Sequence, residues 1–316
     1  MTQMIILFSA LMASFVMLIW SADRLVIATV SAAQKWRISP ALAGMTLLAV
    51  GTSLPEIMIS AVAARTDNLN MAVANLQGSN IANLGLVLGL VLLVAPLKNR
   101  FEPAMAFMLG LSAMIFWLVI GDLTITRLDG VLLLIGSLAW VYGLTRKAQH
   151  DRLHTPQPDG PPSMRLIPLW IGLLLGLVLI SAHALVWSAT GIAQSLGISE
   201  RLIGLTLLAV GSSLPELVTT LAAARRAEHG LVLGNLAGSN IINLLLGGGL
   251  LAVLGPGSVT APTRSIDATT MVLLTLGVVF LWWWKDHRQD TITRSWGFLL
   301  VACYTVFIVV NFGLTV

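Results

Sequence analysis

The sequence predicts an all-α integral membrane protein with ten transmembrane helices in a five-plus-five inverted repeat, and with broken helices at a central site. Three observations predict it. Hydrophobic residues make up 57% of the 316 and charged residues only 10%, whereas a soluble domain carries about 25% charged residues. A block of sequence occurs twice: L-A-G-M-T-L-L-A-V-G-T-S-L-P-E-I from Leu42 returns as L-I-G-L-T-L-L-A-V-G-S-S-L-P-E-L from Leu202. A second pair follows, A-N-L-Q-G-S-N-I-A-N (74–83) and G-N-L-A-G-S-N-I-I-N (234–243). The offset is a constant 160 residues, which pairs Glu56 with Glu216 and Asn83 with Asn243; a gapless match of this kind marks a duplicated architecture. The third observation is parity. Five spans separate each position from its partner, and five is odd, so the two halves enter the membrane from opposite sides.

The spans fall at roughly 4–22, 40–64, 70–95, 104–121, 127–145, 166–186, 200–224, 231–254, 266–284 and 295–314, each an apolar run of about 18 residues or more. The first half is 1–145, with its repeat motif at 42–83; the second is 166–316, with its motif at 202–243. Between them, 146–165 is Pro-rich and charged, a short cytoplasmic linker too small for a domain. The N-terminus lacks a basic n-region, so 4–22 reads as a retained helix. With both termini outside, the inner loops hold 14 of the 18 basic residues, from Arg24, Lys35 and Arg37 to Lys285, Arg288 and Arg294. Only Arg65, Arg127, Arg201 and Arg264 stay outside, an asymmetry that fits the positive-inside rule. The triplet Trp282, Trp283 and Trp284 before Lys285 suits an interfacial belt.

Composition also excludes. The net charge of +4 comes from loop residues and forms no basic face for nucleic acid. The single Cys303 rules out an internal disulfide and a thiolate metal cluster. No hydrolase, kinase or nucleotide-binding motif appears, so no enzyme, cofactor or obligatory protein partner is expected.

Glu56 and Glu216 are the two carboxylates deep within spans, where an ionised acid is costly enough to mark a functional site. Beside them Pro55 and Pro215 remove backbone donors, and the adjoining Gly-Thr-Ser and Gly-Ser-Ser let the chain unwind. Carbonyls around 49–51 and 209–211 are expected to lose helical partners, and irregular backbone at that depth lines a polar cavity or an ion site. A simple proline kink is the alternative. One span later Ser79 and Asn83 share a helix face, as do Ser239 and Asn243. Asn80 and Asn240 either join them or hold helices together. His183, the repeat partner of Asp23, is expected at a span end, interfacial and not a ligand. Every ligand-type atom is oxygen, the preference of hard cations such as Ca²⁺, and two carboxylates balance one Ca²⁺ or two monovalent ions. An empty site with two unpaired charges resists passage through an occluded state, which makes exchange by competition the expected mechanism.

At these residues the sequence resembles the two α-repeats of the cation/calcium exchanger superfamily, and within it the prokaryotic sodium/calcium exchangers. The resemblance implies ligands at Ala49 (carbonyl), Thr52, Ser53, Glu56, Ser79 and Asn83, and at Ala209 (carbonyl), Ser212, Ser213, Glu216, Ser239 and Asn243. It implies Na⁺/Ca²⁺ antiport by alternating access, three Na⁺ for one Ca²⁺, in a plasma or inner membrane. Two positions depart from the family pattern: Ser212 replaces the commoner Thr, and Asn243 replaces an Asp found in many relatives, which disfavours K⁺ co-transport. H⁺/Ca²⁺ exchange through the same two acids is the nearest alternative, and a cation channel a more distant one.

Overall fold

The computed structural model describes residues 2–98, 102–154, 166–196, 209–287 and 291–314. It is helical almost throughout. In the first half α1 is Thr2–Trp36, α2 Pro40–Thr52, α3 Leu54–Arg65, α4 Leu69–Val94, α5 Pro103–Val119 and α6 Arg127–His154. In the second, α7 is Ile167–Ser195, α8 Ala209–Ser212, α9 Leu214–Arg225, α10 His229–Leu254, α11 Thr269–His287 and α12 Arg294–Leu314. Seven helices among the described residues are long and apolar enough to cross a membrane, or eight when the bent pair α2–α3 is one span. That falls short of the ten expected. The apolar α5 is only 17 residues long, and α8 begins at Ala209, with 202–208 outside the described residues. Also outside them lie 155–165 of the linker and Arg100, Arg165, Arg201 and Arg288.

Three helices run past their expected ends. α1 has 35 residues, about 52 Å of helix against a hydrocarbon core of about 30 Å. It carries Asp23 and Arg24 in mid-helix, because hydrogen bonding continues where hydropathy stops. α7 likewise reaches Ser195, with His183 exposed in mid-helix. α6 runs to His154, into the stretch expected to be linker.

The bend between α2 and α3 has a local cause. Pro55 sits in the first turn of α3, the chain turns by 44° around Ser53, and Ser39 caps the start of α2 by accepting the Leu42 N–H at 3.3 Å. Proline is well tolerated in a first turn and not in a helix interior, so the break falls just before it. Pro215 repeats the arrangement at the start of α9.

The two most enclosed helices are α4 and α10, with 72% and 83% of their apolar windows buried against 17–39% for the other spans. α10 reaches α2 by backbone contact: a Cβ at Gly44 would lie 2.7 Å from the Leu231 carbonyl oxygen, and one at Gly234 would collide with that of Ala41. Small residues at a helix crossing permit this approach. Contacts across the halves then come in matched pairs. α4 packs on α12 where Gly89 meets Gly297, and α10 packs on α6 where Gly249 meets Gly130. Two short antiparallel pairs staple the same partners. β1 (Leu97–Lys98) joins β4 (Thr291–Ile292), and β2 (Thr124–Ile125) joins β3 (Gly257–Ser258). α1 and α7 pack along each other.

The tryptophan belt is corrected. Trp282 is fully buried and Trp283 exposed, while Trp284 meets Trp296 edge-on at 6.4 Å. Three consecutive helix residues span about 200° of arc, so they cannot all face one interface.

Candidate cation site

Glu56 lies in the first turn of α3 and Glu216 in the first turn of α9. Both are buried, with at most 1% of their surface exposed. Each carboxylate therefore meets the positive end of a half-helix, the favourable end for an anion. The halves touch at this point: the Ser53 hydroxyl donates to Glu216 Oε1 at 3.3 Å, and the two carboxylates are close enough to act on one another electrostatically. Asn75 fixes the start of α3 by donating from Nδ2 to the Glu56 carbonyl at 3.0 Å and to Ser60 Oγ at 2.9 Å. In the second half Asn235 donates to Thr220 Oγ1 at 3.0 Å, as Asn75 does to Ser60, and the Glu216 carbonyl accepts from Thr219 Oγ1 at 3.2 Å.

On α4 and α10 the helix widens into π-helical turns at Asn83–Val87 and Asn243–Gly247. Such turns rearrange backbone pairing and recur at functional sites. Each begins at an asparagine expected to be a ligand. Asn83 Nδ2 donates to Asn240 Oδ1 at 3.0 Å, and Asn243 Nδ2 donates to Asn80 Oδ1 at 3.2 Å. Both donors are thus satisfied within the protein, while Asn83 Oδ1 and Asn243 Oδ1 have no partner.

The same condition holds around them. Glu56 Oε2, Glu216 Oε2, Ser213 Oγ and Ser239 Oγ are also buried without a hydrogen-bond partner. Buried polar atoms in folded proteins are paired in the great majority of cases. Six of the unpaired atoms are oxygens on predicted site residues of both halves, and oxygen is the ligand atom that hard cations take. Thr52 adds to it, since its hydroxyl proton goes to the Leu48 carbonyl at 3.1 Å, which leaves the oxygen able to face an ion. Ser79 is buried on α4, and Ser212 is half-buried at the end of α8.

One backbone expectation is corrected. The Ala49 carbonyl keeps a helical partner, the Ser53 N–H at 3.1 Å. Pro55 deprives the carbonyl four residues before it, Gly51, not Ala49. Ala49 therefore offers an ion only its second lone pair. Ala209 is the first described residue of α8.

Asn80 and Asn240, expected either to join the ligands or to hold helices together, bond each other's half directly, Asn80 Nδ2 to the Asn240 carbonyl at 3.1 Å and Asn240 Nδ2 to the Asn80 carbonyl at 3.4 Å. One residue was not anticipated. Gln77 is fully buried with neither amide atom partnered. Its only signal in the sequence is a mismatch between repeats, since position 237 is Ala.

The sodium/calcium exchanger protein family matches over residues 6–145 and 166–313. The inner membrane protein YrbG of Escherichia coli K12 is 32% identical over 99% of this chain and 98% of its own length. The sodium/calcium exchanger MaX1 of Methanosarcina acetivorans is 29% identical over 96% of this chain and 98% of its own. Among solved structures, the sodium-calcium exchanger NCX_Mj soaked with Na⁺ and Sr²⁺ superposes with a TM-score of 0.81 at 28% identity, covering 96% of this chain and 97% of that one. The chain is a multi-pass integral membrane protein and a transporter, not an enzyme, and it belongs to the sodium/calcium exchanger family of cation/Ca²⁺ antiporters.

Proposed function

We propose that this chain exchanges Na⁺ for Ca²⁺ by alternating access, with the ions competing for one central site built on Glu56 and Glu216. The observation that carries the reading is the set of buried oxygens without donors: Glu56 Oε2, Glu216 Oε2, Asn83 Oδ1, Asn243 Oδ1, Ser213 Oγ and Ser239 Oγ. Thr52, Ser53, Ser79, Ser212 and the carbonyls of Ala49 and Ala209 complete the ligands. The site's formal charge of −2 is balanced by one Ca²⁺ or by two Na⁺, and a third Na⁺ makes the exchange electrogenic. Left empty, two carboxylates in low dielectric oppose occlusion, so the loaded forms are the ones that cross. Competition for shared ligands is enough to couple the fluxes, because a ligand shifts a conformational equilibrium only through its differential affinity for the two states.

Ten spans in a five-plus-five inverted repeat, with both termini outside and 146–165 cytoplasmic, belong to the same proposal. The 160-residue repeat, the paired glycine contacts of α4 with α12 and α10 with α6, and the basic residues of the inner loops support it. Domains 1–145 and 166–316 are then the two moving halves. Na⁺ as coupling ion is favoured by the hydroxyl and amide ligands, which protons would not need, and by the similarity to MaX1 and NCX_Mj, both named as sodium/calcium exchangers.

The test is Ca²⁺ uptake into proteoliposomes under clamped voltage, driven first by an outward Na⁺ gradient and then by an outward proton gradient. Uptake with Na⁺ alone is the expected result. Uptake with protons alone overturns the coupling ion and points to proton release from Glu56 and Glu216.

A further inference from the structure

The four central asparagines form a closed set. Asn80 and Asn240 each donate an amide to the other half's backbone carbonyl, at 3.1 and 3.4 Å, and each accepts on Oδ1 from the other half's Asn243 or Asn83, at 3.2 and 3.0 Å. The orientation of every amide follows from this arrangement. A backbone carbonyl only accepts, so the group that Asn80 points at the Asn240 carbonyl must be its NH₂. Its Oδ1 is then fixed toward Asn243, which must answer with NH₂. The same steps, started from Asn240, fix Asn83. Reversing any one amide sets two acceptors against each other somewhere in the ring. The consequence is that Asn83 and Asn243 have their carbonyl oxygens left over, buried and unpartnered.

We propose that Asn80 and Asn240 are positioning residues: they bind no ion themselves, and they hold the amides of Asn83 and Asn243 so that oxygen, not NH₂, faces the cation. The inference rests on the cation site proposed above. It also accounts for the amide at position 243. An ionised carboxylate there would place an acceptor against Asn80 Oδ1, and relieving that clash by turning Asn80 would break its bond to the Asn240 carbonyl. In this chain the ring selects Asn at 243 and so keeps the site at −2. Because each half supplies the orienting group for the other, the ring also requires both halves to be in register for either amide to be set.

The experiment is a double-mutant cycle read by equilibrium Ca²⁺ binding to the purified full chain, which does not depend on the coupling ion. Asn80→Ala is expected to weaken Ca²⁺ binding about tenfold, the loss typical of one buried ligand contact. In an Asn243→Ala background the same substitution should change binding by less than about twofold, since the group that it orients is gone. Asn240→Ala tested with and without Asn83→Ala is the mirror arm. Asn80→Ser, which removes less volume from the crossing, replaces Asn80→Ala if that variant is not monodisperse. An equal loss in both backgrounds means a merely structural contact and overturns the positioning role, as does unchanged binding in the native background. Absence of Ca²⁺ binding by the unmutated chain overturns the cation site and the ring together.

Discussion

The two halves carry the same chemistry in different surroundings. Glu, Ser and Asn recur at the site positions except that Thr52 is matched by Ser212, and the Pro break, the half-helix start and the π-helical turn recur with them. The flanks do not. In this structure α1 packs along α9, and Arg226 holds Asp23 of α1 through two bonds, Nε to Oδ1 at 2.8 Å and Nη2 to Oδ2 at 2.7 Å. The positions 160 residues away are His183 and Thr66, which cannot form that pair. α7 instead presses apolar side chains on both breaks, Leu175 at Gly51 and Val186 at Gly211. On the proposed reading the matched positions bind the ions, and the unmatched contacts of α1 and α7 are where a bias between conformations would arise. A two-state carrier needs the first to be equivalent and gains its bias from the second.

The largest expected effect tests the equivalence. Glu56→Gln and Glu216→Gln should each abolish Ca²⁺ transport in proteoliposomes while the protein still elutes as a folded species, because each removes half of the charge that holds a divalent ion. Retained Ca²⁺ flux in one of the two would show that the halves share a sequence pattern but not the work. Next in size is the crossing of α2 and α10. Gly44→Ala puts a methyl against the Leu231 carbonyl and the Asn235 nitrogen, at 2.7 and 2.9 Å, and overpacking of backbone against backbone costs about 1–3 kcal/mol. A lowered melting temperature in detergent checks it. An unchanged one would mean that α2 can shift on α10 without penalty.

How much of this was legible in the sequence depends on whether a residue acts through its repeat or through a partner. Duplication, depth within a span and helix spacing single out Glu56, Glu216, Ser79, Asn83, Ser239 and Asn243, and Thr52, Ser53, Ser212 and Ser213 enter as ligands through the family resemblance. The structure brings Ser53, Ser213 and Ser239 into the same buried setting. A helix-holding role for Asn80 and Asn240 is one of the two that the sequence leaves open, but their partners are not legible, since the bonds join residues 157–163 positions apart. Helix ends were misjudged for a related reason. Hydropathy falls at Asp23 and Arg24, but the backbone hydrogen bonding of α1 continues through them, with Asp23 paired to Arg226 of the other half. The expectation that the carbonyls of 49–51 lose partners together is too broad, because proline's missing N–H affects one defined acceptor, Gly51, and Ala49 keeps the Ser53 N–H.

The ion pair offers a moderate test of bias. It is about 40% exposed on both sides, so it contributes on the order of 0–1 kcal/mol. That is small against a binding site but is at most about fivefold in a conformational equilibrium. Asp23→Asn should therefore leave Ca²⁺ binding to the purified protein intact and shift the ratio of half-saturating Ca²⁺ measured from the two faces of oriented vesicles. The exchanged pair, Asp23→Arg with Arg226→Asp, should return the ratio toward its native value. If Asp23→Asn moves neither ratio nor rate, the asymmetry of the flanks is without consequence and the bias must come from α7.

The smallest expected effect on ion binding concerns Gln77, a buried amide on α4 whose counterpart on α10 is Ala237. Its amide is fully buried with both ends unpartnered, a condition that costs about 1–3 kcal/mol relative to a satisfied or apolar side chain. Ala237 on α10 carries no such penalty. Gln77→Met keeps nearly the same length and removes the polar group, so it should raise thermal stability by roughly 1–3 kcal/mol and leave Ca²⁺ binding within about twofold of native. That outcome would make Gln77 a flaw tolerated on one side of an otherwise matched pair. A tenfold weakening of Na⁺ or Ca²⁺ binding would mean instead that the first half has a polar group on the ion's route that the second half lacks. The equivalence of the two halves would then end at α4, with the acids and asparagines matched but the path between them not.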